Sequence, residues 1–309
     1  MARVGPVVRA IGTLGAWFIY ALIWLFGRAR RRADVDWLVG PIGGNTIGDR
    51  VFADTAEREG LVLDDSAADA GLVPDFADLS SDRFDATRAH PLVREFYEHT
   101  TRFAMDVWSK TYFPSNLVLW LLVKTISKQV DQLNFPLSPL DTARGMTSEI
   151  ILLRRPDRSV RYAGWLRRIA AGRDVLYAGF YLTARAPNED RPCVKAVFPM
   201  PDGSATVLLR PDIDSTGALL LDSSGKRFGD VGFYRMQRRG SEHLQVWYIR
   251  TLHERFRIYV DDAGTLRGDH DVRFLGLPVL SLHYKMFRAP EAPAARKDEG
   301  RSDSSSLRP

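Results

Sequence analysis

The sequence predicts an α+β fold: an N-terminal membrane helix, two amphipathic helices, then a mainly antiparallel curved sheet or barrel of about ten strands. Three observations predict it. Residues 10–27 carry no charge. Residues 91–133 hold two stretches with apolar positions at helical spacing. Beyond NFPLSPLD the chain breaks into short runs rich in Val, Ile, Leu, Tyr and Phe, separated by turn signals such as RPDRS, PDGS, DSTG and DDAGT.

The uncharged segment comes first. As a helix, residues 10–27 would extend about 27 Å, a short but sufficient membrane span. Trp17, Tyr20 and Trp24 supply aromatic anchors. Arg28, Arg30, Arg31 and Arg32 follow where a signal peptide would place small residues for cleavage, so the segment reads as a retained anchor. These arginines outweigh Arg3 and Arg9, which puts a single-pass protein in the cell membrane with its C-terminal domain in the cytoplasm. A helix lying on the membrane surface is the rival arrangement.

Residues 1–32 are thus the anchor with its basic flank. Residues 33–89 contain 13 acidic and 4 basic side chains among Gly- and Asp-rich patches, and read as a largely flexible connector. Residues 90–288 form the helical pair and the β domain. HPLVREFYEHTTRFAMDVWSKTYF sets Leu92, Phe96, Phe103 and Val107 on one helical stripe, with Pro91 in the first turn. A second helix is predicted over residues 115–133. Its apolar start, Leu117–Val123, suits burial against a sheet or contact with the bilayer. Residues 289–309, rich in Pro, Ala, Arg and Ser, read as a disordered tail.

Composition excludes several functional classes. With 45% hydrophobic residues the chain can build a core, so disorder throughout is excluded. Cys193 stands alone, which rules out an intrachain disulfide framework or a cysteine zinc site. Of 43 basic residues only 7 are lysine, a bias that GC-rich bacterial coding accounts for. No Gly-x-Ser-x-Gly elbow and no phosphate-binding loop occurs, and the histidines lack ligand spacing, so neither metal nor cofactor is expected. Basic residues interleaved with aromatics in GFYRMQRR suit half-exposed strands, and with a membrane anchor a nucleic-acid partner is not expected.

The β region holds the candidate site. Alternation in LHERFRIYV places Glu254 on a face with Leu252, Phe256 and Ile258. A carboxylate on an apolar face is a candidate general acid or base. His253 is a second proton carrier, and Arg250 could hold an anionic group. Tyr162, Trp165, Tyr177, Phe180, Phe233, Trp247 and Phe256 are candidate wall residues for an apolar ligand. Gly164 and Gly179, inside strands, signal a bulge or the close approach of another group. The expected function is binding of an apolar or lipid-like molecule, with membrane lipid as a partner. Two alternatives stand beside it: an enzyme acting on such a molecule by acid/base chemistry, and a membrane-tethered interaction module with a filled core.

Overall fold

The computed structural model describes residues 20–44, 47–65, 67, 69–113, 146–169 and 175–289. These form one 14-stranded sheet with few helices. The strands before the main β region are β1 (Arg28–Arg31), β2 (Val62–Asp64) and β3 (Phe103–Thr111). The region itself begins with β4 (Met146–Arg154), β5 (Val160–Ile169), β6 (Val175–Ala184), β7 (Cys193–Met200) and β8 (Gly203–Ile213). It continues through β9 (Leu219–Asp222), β10 (Gly232–Arg239), β11 (His243–Tyr248), β12 (Leu252–Val260), β13 (Leu266–Phe274) and β14 (Leu277–Arg288). Among the described residues, helix α1 spans Val51–Glu59 and helix α2 spans Pro91–Glu98.

Short turns make most neighbours antiparallel hairpin partners, and the main path runs β2-β4-β5-β6-β7-β8-β9-β12-β13-β14-β3. The sheet forks at β8, whose first half pairs with β10 and whose second half pairs with β9. β11 and then β1 extend the β10 branch. At the two ends of the main path β3 comes into contact with β4, but no ladder joins them among the described residues, so the sheet is curved and not closed. The β13–β14 turn has both Leu275 (φ 53°) and Gly276 (φ 80°) in the left-handed region, which matches the twist of a tight hairpin.

Each of β4 to β14 overlaps one of the predicted runs, though β13 begins at Leu266, before the run expected there, and β11 ends at Tyr248, before its run does. β1, β2 and β3 raise the count above the expected ten or so. The helix predicted through Phe113 ends at Glu98, and after a 3-10 turn at Thr100–Arg102 the chain becomes β3. There the two-residue period prevails: Phe103, Met105, Val107 and Ser109 are buried while Asp106, Trp108 and Lys110 are exposed. Of the arginines expected as a membrane flank, Arg28, Arg30 and Arg31 lie in β1, paired with β11, and Arg32 opens a 3-10 turn.

Residues 20–26 are helical, with Ile23 buried and Trp24, Leu25 and Phe26 exposed. Among the described residues no helix is long and apolar enough to cross a membrane, so the predicted N-terminal membrane helix has no support there. Residues 10–19 of that segment, the helix expected over 115–133 and the tail from 290 lie outside the described residues.

The acidic stretch contributes to the core, in contrast to the solvated connector expected of it. Leu72, Val73, Phe76, Leu79 and Phe84 are all buried in the main cluster. Its acidic residues have structural partners: Asp75 accepts from the Ala77 amide at 2.7 Å and Asp85 from the Thr87 amide at 2.9 Å, each capping a 3-10 turn. His90 caps α2 in the same manner, accepting from the Leu92 amide at 3.2 Å ahead of Pro91.

Burial sorts the two sheet faces. Inward residues meet α2 and the 70–105 stretch. On the outer face α1 sets Phe52 against Tyr162 and Phe180. Phe52 lies so close over Gly164 that a Cβ there would stand 2.5 Å from its ring, which is the close approach that Gly164 signals.

Candidate functional site

The concave face of the sheet and α2 enclose a cavity of about 370 Å³. Strand alternation makes most of its wall apolar. β12 contributes Leu252, Phe256 and Ile258, β14 contributes Leu280, Leu282 and Met286, and Phe96 and Tyr97 reach in from α2. The volume lies within the roughly 300–1,000 Å³ typical of small-molecule sites.

A few polar groups converge in this wall. Glu254 follows the alternation of β12 and faces inward with Phe256. Phe256 is paired across the ladder with His270 of β13, and the two rings stack at 3.8 Å with 15° between their planes. Glu254 and His270 are diagonal neighbours on the same face, and His270 Nε2 lies 3.6 Å from Glu254 Oε2. His270 is 7% exposed, and its Nε2 has no hydrogen-bond partner among the described residues. Leaving such an atom unsatisfied costs roughly 1–3 kcal/mol.

Arg167 of β5 and three tyrosines also line the cavity. The Arg167 guanidinium lies 5.1 Å from the Trp165 ring and 5.4 Å from that of Tyr284. Tyr177 and Tyr181, four residues apart on β6, touch through their hydroxyls. Burial pushes the Tyr177, Tyr181 and Tyr284 hydroxyls above the usual phenol range, with the Arg167 charge acting in the opposite sense, so all three stay protonated near neutrality. Trp165 is oriented by donating its indole N–H to Ser148 Oγ at 2.7 Å.

The cavity brings together Glu254, Trp165, Tyr177, Phe233 and Phe256 from the sequence-predicted set. The others lie elsewhere. Tyr162 and Phe180 point to the α1 side, their rings 5.5 Å apart. Trp247 of β11 stacks on Phe26 at 5.7 Å. Arg250 is exposed in the turn before β12. His253 does not line the cavity, because adjacent strand residues face opposite sides. The sequence reading does not place Arg167, Tyr181 or Tyr284 at the site, and it sets His270 aside with the other histidines for want of ligand spacing. The signal was the same alternation, which continues from Trp165 to Arg167 on β5 and through Gly268, His270 and Val272 on β13.

Asp269, which also contributes to the cavity lining, and Asp271 flank His270 and are bonded to β14: Asp269 Oδ1 is 2.5 Å from His283 Nδ1, and Ser281 donates to Asp271 at 2.5 Å. Among the described residues no three His, Cys, Asp or Glu side chains are grouped to hold a metal ion. No protein family, curated protein or solved structure matches this chain.

Proposed function

We propose that the protein binds an apolar, lipid-like molecule inside the curved sheet. The observation that carries this reading is the cavity of about 370 Å³, with a mostly apolar wall that includes the neighbouring Glu254 and His270. An interaction module with a filled core would lack that space.

The test is to purify the full chain and examine it by native mass spectrometry. An apolar molecule should co-purify. Gly268 of β13 lines the cavity, and a Cβ there would come no closer than 3.4 Å to its nearest neighbour, Met286. Gly268→Leu should therefore fold, fill the space and lose the ligand. An empty wild-type protein that also binds no added apolar probe would refute the reading.

The proposal includes a bilayer as the ligand's source. Support comes from the β13–β14 hairpin, where Phe274, Leu275 and Leu277 are exposed at a tip beside exposed Arg250 and Arg273. Leu252 and Val272, near that tip, line the cavity. A second reading, acid/base catalysis on the bound molecule, draws its support from Glu254 facing the cavity, with His270 in the place first given to His253.

A further inference from the structure

Glu254 and His270 stand side by side on the cavity wall without a direct hydrogen bond between them. At 3.6 Å the separation of Oε2 and Nε2 is too long for a direct hydrogen bond. The ladder register fixes both backbones, and the stack on Phe256 holds the imidazole ring in place. The Nε2 atom is buried and unpartnered among the described residues, while the carboxylate faces the cavity.

The group that completes this arrangement must satisfy both atoms at once. A hydroxyl does so with one oxygen, donating to the carboxylate and accepting from the ring N–H. With the proton on Nε2, a carbonyl cannot donate to the carboxylate, an ammonium cannot accept from the ring, and a second carboxylate would be repelled by Glu254. From this juxtaposition, and resting on the cavity reading above, we infer that Glu254 and His270 form the headgroup subsite for a neutral lipid alcohol, an apolar chain or ring system ending in one hydroxyl. Arg167, Tyr177, Tyr181 and Tyr284 line the same cavity.

The experiment uses the full-length protein stripped of co-purifying lipid and titrated with three probes that share one chain: 1-decanol, decanoate and decane. Decanol should bind about tenfold more tightly than decane, the worth of hydrogen bonds to a charged and a buried group. Glu254→Leu and His270→Phe should each abolish the preference, so that decanol binds no more tightly than decane does to the same variant. Glu254→Gln, whose amide oxygen still accepts, should retain most of the preference, and it keeps the test alive if Glu254→Leu does not fold. Equal binding of alcohol and alkane overturns the subsite and leaves the cavity reading standing. Tightest binding of decanoate overturns it by moving the headgroup to Arg167. Binding of none of the probes removes the cavity reading and the subsite together.

Discussion

Lys195 shows what one buried charge does in this fold. It lies on the outer face of β7, 2% exposed, and its ammonium donates to the carbonyls of Trp37 at 2.9 Å and Val39 at 2.7 Å, fastening that segment to the sheet. Burial pushes it down to about 7 from 10.5, aided by Arg161 and opposed by the Asp36 carboxylate. Between those values the unfolded chain binds the extra proton, so the contribution of Lys195 to stability rises with pH across the window and is lowest below about 7. Denaturant unfolding at pH 7, 8 and 9 should show this rise. Lys195→Met should flatten it and lower stability by about 1–3 kcal/mol through the two orphaned carbonyls. An unchanged slope in the variant would assign the dependence to other groups. Leu275 is the opposite case, an exposed side chain held at φ 53°. Leu275→Asn should stabilise the fold by about 1 kcal/mol, because Asn tolerates the left-handed region, and should weaken binding to anionic vesicles. A flotation assay that shows no loss would remove the hairpin tip from the proposed membrane contact.

Hairpins and helices differ in how they announce themselves. β4 to β14 were legible because alternation and Asp- or Gly-bearing turns agree along each run, and a turn such as that at Asp214 builds itself locally. Asp214 accepts from the Thr216 amide at 2.8 Å and the Ala218 amide at 3.1 Å and pairs with Arg257 at 3.1 Å. Burial opposes its ionisation, but these bonds prevail and hold its carboxyl at about 2. Its folded value lies below the unfolded 3.8, so its contribution is present above about pH 4 and lost as pH falls toward 2. Asp214→Asn should remove that part of the acid transition, measured by circular dichroism. β3 was hidden because Phe96, Phe103 and Val107 satisfy a helical spacing while Phe103, Met105 and Val107 also satisfy a strand, and only packing against β14 decides between them. The 33–89 stretch was misread for another reason. Acidic residues such as Asp75 and Asp85 were counted as solvated when they cap turns that bring Phe76 and Ala86 into the core. Gly164 ties α1 to β5 by its lack of a side chain. Gly164→Ala should cost about 1–3 kcal/mol, and Phe52→Leu in the same chain should restore part of it; an additive double variant would show that the two sites do not share a contact.

At the scale of the molecule, the site depends on register between strands, which one strand's sequence does not carry. Glu254 and Phe256 could be placed on one face of β12 from alternation alone. Their relation to His270 needs the pairing of Phe256 with His270, set by the turn over 261–265, and Arg167 joins them only when the sheet curves β5 toward β12. His253, next to Glu254 in the chain, is carried to the opposite face by the same geometry.

The pairing of β3 with β14 has a consequence for the order of events in time. Residues 103–111 lie against 280–288, and the clasp is sealed by Arg288 to Glu95 at 2.5 Å and 2.9 Å and by the Ala289 amide to Arg102 at 2.8 Å. During synthesis β3 emerges long before its partner exists, so one edge of the cavity stays open until β14 leaves the ribosome. β14 therefore acts as a closing stave: a chain stopped before residue 277 would leave β3 and β13 as bare edges, ready to pair with a neighbouring chain.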